Sequence, residues 1–193
     1  MVKILAFAGS ARKDSLNKKL LKIAAAGAEA AGAEVTLVDL ADFEMPLFNQ
    51  DLESEQRMPD KAAEFKKLMI AHDGFLIASP EYNGAFSPLL KNTIDWASRA
   101  ENGDERPLVA YCGKTAAVLA TSPGGLGGMR GLVMLRMLLG NLGVIVLPDQ
   151  QAVPNGFKAF NDDGSMSDEK LEKRIRTLGG NLVEFTEKLK QKN

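Results

Sequence analysis

The chain is poor in side chains that build reactive centres of their own. Its 193 residues include one cysteine, Cys112, and one histidine, His72. A single cysteine excludes an intrachain disulfide framework and a multi-cysteine metal site. A single histidine argues against a His-rich zinc or iron centre, and any Ser–His–Asp triad would have to run through His72. Long apolar runs are missing too, and none approaches the ~18 residues of a membrane span. Ile4–Ala8 follows Lys3 and faintly imitates a signal peptide. The stretch is shorter than the ~7–15 residues of a signal h-region, and Arg12-Lys13-Asp14 follow at once. Neither sign of charge dominates: 24 Lys+Arg stand against 25 Asp+Glu, a net −1. That balance argues against a protein built to coat nucleic acid or a membrane surface. These absences predict a soluble, cytoplasmic protein.

What is present is a core. Apolar residues make up 45% of the chain, too many for disorder, and the length suits one domain over residues 1–193. Short apolar segments alternate with amphipathic ones from end to end. Lys3–Ala8, Val35–Val38, Gly74–Ala78, Thr115–Ala120 and Val144–Leu147 read as strands. Leu16, Leu20, Ile23, Ala24, Gly27 and Ala31 predict a helix stopped by Gly32. Pro59 opens a second helix with Ala62, Phe65 and Met69 inward. Ser87 caps a third, with Pro88 at its first position and Leu90, Ile94 and Ala97 on one face. Met129–Leu142 is helical and apolar on most sides, so it faces the sheet or another subunit. Leu171, Ile175, Leu178, Leu182, Phe185 and Leu189 mark the last helix, weakened by Gly179-Gly180 at about 1 kcal/mol each. Gly156–Gly164 and Ala100–Pro107 read as polar loops. The alternation implies an α/β fold with a parallel sheet covered on both faces.

Open parallel sheets bind ligands beyond the carboxyl ends of their strands. Three loops there are unusual. The first is Gly9-Ser10-Ala11-Arg12-Lys13-Asp14-Ser15-Leu16-Asn17. It joins a strand to a helix N-terminus, and Ser10, Arg12, Ser15 and Asn17 offer donors to a phosphate. Helix capping alone would explain Ser15, but not all four. The second is Ser79-Pro80-Glu81-Tyr82-Asn83-Gly84, where Pro80 stiffens the chain and Asn83-Gly84 favours a tight turn. The third is Thr121–Gly131, where Gly124, Gly125, Gly127 and Gly128 let backbone approach a flat ring. Neither the dinucleotide fingerprint nor a P-loop is present. Starting at Gly125 the sixth position is Arg130, and Gly113-Lys114-Thr115 precedes a strand with Leu108 where the first glycine should stand.

The stretches G-S-A-R-K-D-S-L-N, S-P-E-Y-N-G-A-F-S-P-L-L-K-N-T-I-D-W and T-S-P-G-G-L-G-G-M-R together resemble the NADPH-dependent FMN reductase family, over nearly the whole chain. The resemblance implies a flavodoxin-like three-layer sandwich with strand order 2-1-3-4-5. It also implies tightly bound, non-covalent FMN, NADPH or NADH as donor, and a quinone, azo dye, chromate or flavin as acceptor. By it, Ser10, Arg12, Ser15 and Asn17 would hold the phosphate. Pro80, Glu81, Tyr82, Asn83 and Gly84 would border the ring and ribityl chain, with Ser122, Gly124 and Gly125 opposite. It further implies a homodimer or tetramer with flavin near the interface. Flavin carries hydride chemistry itself, so few side chains need be catalytic and no metal is called for. Turnover is then ping-pong, with Phe48, Phe86 and Met129 as candidates for the acceptor wall. Arg130 opens a helix against its dipole and so needs an anion: an acid across the interface or a coenzyme phosphate. His72 is read as bonding helix-end carbonyls, and Cys112 as inert. Two other readings remain. A flavodoxin-type electron carrier would be strongly acidic, unlike this chain. A non-catalytic flavin-bound regulatory protein has no sequence signature that excludes it.

Overall fold

Three strands are buried almost end to end: β1 (Lys3–Ala8), β3 (Gly74–Ala78) and β6 (Thr115–Thr121). Their near-continuous apolar sequence is what burial on both faces requires. The computed structural model describes residues 1–101 and 105–191. With β2 (Glu34–Asp39) and β7 (Ile145–Val153), the three strands form one parallel sheet of order β2-β1-β3-β6-β7. Set aside the small hairpin β4 (Glu81–Tyr82) and β5 (Ala85–Phe86), and this is the order 2-1-3-4-5.

Side chains alternate between two cores. Ile4, Ala6, Leu76, Ala117 and Leu119 meet α1 (Leu16–Ala30) and α7 (Glu169–Lys190) on one face. Leu5, Phe7, Phe75, Ile77 and Val118 meet α3 (Asp60–Ala71), α4 (Pro88–Ala97) and α5 (Met129–Asn141) on the other. On the first face the helices nearly touch. A Cβ on Gly27 would lie 2.0 Å from the Arg176 carbonyl oxygen, and one on Gly179 would lie 2.0 Å from that of Ala24. Gly179 therefore gives up helix propensity in exchange for close packing, which the sequence pattern did not reveal.

The predicted elements stand, with corrections. Strand β7 runs on through Pro148, Asp149, Gln150 and Gln151 to Val153, well past Leu147. A bulge opposite Ala116–Val118 and a position at the sheet edge admit these polar residues and the proline. A short helix α2 (Gln50–Gln56) has no buried residue and so no periodic signal. The predicted loop at 156–164 begins with a helical turn, α6 (Gly156–Ala159). Phe185 is half exposed, and Thr186 is buried in its stead, bonded to Thr115 at 2.6 Å. Pro59 caps α3 rather than opening it. The loop 100–107 lies partly outside the described residues.

Among the described residues no helix is long and apolar enough to cross a membrane. Chain connections leave β1 toward β2 and leave β3 toward β6, so the strand order reverses between β1 and β3. A crevice opens at the carboxyl ends of that pair.

Candidate active site

Ser10, Arg12, Ser15 and Asn17 meet Pro80, Glu81, Tyr82 and Ser122 around one cleft of about 230 Å³ at that crevice. Leu16, Thr121, Pro123 and Phe157 complete its wall, and the sequence did not single them out as site residues. Asn83, Gly84, Gly124 and Gly125 stand outside the wall, at the tips of their loops. Larger clefts of about 400 and 500 Å³ lie along β7–α7 and α1–β2. The first runs beside an exposed helix face. The second takes Lys13, Asp14 and Ser15 of the first loop and the end of β2, but nothing from the loops after β3 and β6.

The first loop leaves a helix end open. Ser15 occupies the cap position of α1 yet its hydroxyl makes no cap bond, and no acidic side chain lies in the first turn. Ser15 is nevertheless almost wholly buried. The capping explanation for this serine is thereby removed, and the helix N-terminus keeps its attraction for an anion. Ser10 Oγ accepts from the Arg12 amide at 3.3 Å, which folds the loop toward the cleft. Arg12 is exposed and donates back to the Asp14 carbonyl.

Asn17 serves a different purpose from an outward donor. Its Nδ2 donates to the Thr121 carbonyl and its Oδ1 accepts from the Thr121 amide, both at 3.0 Å. This buried pair ties the start of α1 to the end of β6, and so sets the first loop against the third.

The second loop is a hairpin. Asn83 (φ 53°) and Gly84 (φ +86°) give two successive left-handed residues, the type I′ geometry that Asn-Gly favours. The hairpin carries Glu81 to the start of α5. There Arg130 Nε donates to Glu81 Oε1 at 2.8 Å, and the Gly131 amide to Oε2 at 3.2 Å. Within its own chain Arg130 thus finds an anionic partner in Glu81. Glu81 also supplies the negative charge that the N-terminus of α5 favours. Burial pushes the Glu81 carboxyl up, but the Gly131 amide and Arg130 outweigh it and hold it below the ordinary carboxylate range. It is therefore ionised at neutral pH and unsuited to donating a proton.

In the third loop the glycines divide. Gly127 (φ +61°) has no room for a Cβ, which would lie 2.5 Å from the Val153 carbonyl carbon. Gly124 and Gly125 have no positive φ, and a Cβ there would meet at most the Ser122 hydroxyl at 3.9 Å. The fold does not demand glycine at these two positions. A flat ligand lying against the loop would.

The other candidates fall elsewhere. Phe48 packs edge-on against Trp96 at 5.0 Å, Phe86 packs on the core, and Met129 is exposed on α5, so none lines the cleft. His72 is buried, with Nδ1 2.6 Å from the Leu68 carbonyl and Nε2 2.8 Å from the Thr36 hydroxyl. It meets the helix-end role read from its position. Among the described residues no group of His, Cys, Asp or Glu could hold a metal ion.

A buried uncapped serine at a helix start, a nearby arginine and two glycines that packing does not require fit a ligand with a phosphate and a planar ring. Together with the strand order, they define a flavodoxin-like protein with a nucleotide-type cleft. The comparisons narrow the class. A match to the NADPH-dependent FMN reductases covers residues 2–158, and the chain belongs to that family. It is an NAD(P)H-dependent oxidoreductase that uses FMN. It is similar to an NAD(P)H:quinone oxidoreductase of Solanum tuberosum, 34% identical over 100% of this chain and 96% of that one. It is likewise similar to an NAD(P)H-dependent FMN reductase of Pseudomonas aeruginosa, 34% identical over 91% and 90%. Among solved structures it resembles FerB, a flavoenzyme NAD(P)H:(acceptor) oxidoreductase from Paracoccus denitrificans. That likeness has a TM-score of 0.80 and 32% identity over 97% and 98% of the two chains. An archaeal flavodoxin shares the fold at a TM-score of 0.64 and 11% identity, over 96% and 99%.

Proposed function

We propose that the protein reduces a quinone-type acceptor with electrons from NADPH or NADH, by ping-pong turnover, with all 193 residues acting as one FMN-binding unit. The observation that carries this reading is the open, uncapped start of α1 facing the cleft beside Ser10 and Arg12. Bound FMN supplies the hydride and electron chemistry. Ser10, Arg12, Ser15 and the first-turn amides of α1 would bind the phosphate, while Asn17 holds this loop against Thr121. Pro80, Tyr82 and the Asn83-Gly84 turn would border one side of the ring. Ser122, Gly124 and Gly125 would border the other. Glu81, engaged by Arg130, fixes the hairpin and so the spacing of the two sides. Both substrates would use the same ring face in turn, which is why no separate acid–base pair is needed.

One protomer's cleft is smaller than the ~300–1,000 Å³ of a complete ligand pocket. On α5, Met129, Val133 and Met137 form an exposed apolar stripe at four-residue spacing, beside Arg130. These features support a homodimer or higher assembly in which a second copy covers α5 and closes the site. A cytoplasmic location agrees with the single, unpaired Cys112.

The test is direct. The purified protein should be yellow, and NADPH or NADH should bleach it under nitrogen and be consumed with benzoquinone. Parallel double-reciprocal lines are expected. Intersecting lines would remove the ping-pong step, and a protein that neither coenzyme reduces would remove the reductase.

A further inference from the structure

Phe157 is the most exposed aromatic among the described residues, 71% accessible, yet it lines the same cleft as Ser10, Arg12 and Ser15. An isolated exposed phenylalanine needs no explanation. One held rigidly does. Its neighbour Gly156 is clamped: a Cβ there would lie 2.7 Å from Thr121 Oγ1 and 2.8 Å from Leu16 Cδ1. The Gly156 amide donates to the Ser122 carbonyl at 2.9 Å, and the Asn155 amide to that of Gly124 at 3.2 Å. Asn155 adopts a left-handed backbone, φ 53° and ψ 43°, which asparagine takes more readily than other residues with a side chain, and it turns the chain into Gly156. The chain at 155–157 is therefore fastened both to the third loop and to the first residue of α1. The ring it presents has little to pack on within the protomer.

We propose that Phe157 is the cover of the phosphate end of the cleft, packing over bound FMN and excluding water from the contacts of Ser10, Arg12 and Ser15. This rests on the flavin reading given above. Charge-assisted contacts to a phosphate are weakened by water and by salt, and buried ones much less so. An apolar ring over them would strengthen them and gain contact area of its own. Phe157 is a positioning residue here, and its effect should appear in flavin retention rather than in chemistry.

The apoprotein should be titrated with FMN at low and high salt, following flavin fluorescence, for the wild type, Phe157→Ala, Phe157→Leu and Arg12→Ala. Phe157→Ala should weaken FMN binding about tenfold, the equivalent of losing part of a phenylalanine's buried area. Its affinity should also fall more steeply with salt than the wild type's. Phe157→Leu should keep most of the affinity. Melting of the apoprotein should not change in either, since the side chain is outside the core. If Phe157→Ala binds FMN as the wild type does while Arg12→Ala does not, the cover is wrong and the flavin site stands. A Phe157→Ala protein with unchanged FMN binding and a raised KM for NADPH would assign the ring to the coenzyme and overturn the cover. A wild type that does not bind FMN would overturn both.

Discussion

The two ends of the sheet are built on opposite principles. At the amino end, polar groups find partners within the chain. Asp73 accepts from the Lys3 amide at 2.8 Å and from Lys190 at 2.7 Å. Lys114 donates to the Ile70 carbonyl at 2.8 Å and to that of His72, closing the end of α3. Thr115 and Thr186 bond to each other. At the carboxyl end, Ser15 leaves α1 uncapped, Gly124 and Gly125 leave space, and Phe157 stands exposed. The first end stabilises the fold with groups paired to one another, of which Thr115 and Thr186 are buried. The second leaves groups at the cleft without partners in the chain, as the proposed FMN site would require.

That contrast can be broken most severely at the carboxyl end itself, where Gly127 serves the fold rather than the cleft. Gly127→Ala should cost about 3 kcal/mol, from positive φ and overpacking against Val153, and lower the urea midpoint. Gly124→Ala should leave that midpoint unchanged and weaken FMN severalfold. Equal midpoints for the two would show that the distinction is wrong. Next in size, Arg12→Ala should reduce FMN affinity roughly 50-fold, the scale of losing charge-assisted bonds, with the apoprotein's melting unaltered. Isothermal titration and calorimetry on the same sample separate the two readouts. At the amino end the pattern should invert. Lys114→Met leaves two carbonyls without their donor and should cost about 1–2 kcal/mol of stability, with FMN affinity unchanged.

The smallest effect is a pH dependence. Burial pushes the Asp73 carboxyl up, but the Lys190 and Lys3 bonds and the charges of Lys190 and Lys114 outweigh it and hold it below the ordinary value. A depressed carboxylate contributes stability that is fully present above the unfolded value of about 4 and lost as pH falls through the folded one. Asp73→Asn should therefore flatten the acid side of the stability curve below about pH 4 and leave FMN binding at neutral pH untouched. A variant as acid-sensitive as the wild type would show that this pair does not carry the dependence.

Much of the fold was legible because burial on two faces writes itself into consecutive residues. Lys3–Ala8 and Gly74–Ala78 needed no distant information. Ser87 was legible as a cap, and its hydroxyl does accept from the Leu90 amide at 3.2 Å. The continuation of β7 was not, since an edge strand with a bulge tolerates Pro148 and a polar run. In the site, the three loops were visible as composition, while Phe157 was hidden because one aromatic in a polar stretch carries no periodicity. Thr186, not Phe185, completes the inner face of α7, for it pairs with a hydroxyl that only the sheet brings near.

By itself the sequence determined the alternation of strands and helices, the loops that meet beyond the strand ends, and the family those loops belong to. These are local patterns, set by period, turn chemistry and helix starts. Tertiary structure decided the partners. It joined Asn17 to Thr121 across 104 positions, gave Arg130 to Glu81 across 49, and pressed Gly27 against α7. Which groups end up satisfied and which face the cleft depends on segments far apart in the chain, and only the packed sheet brings those together.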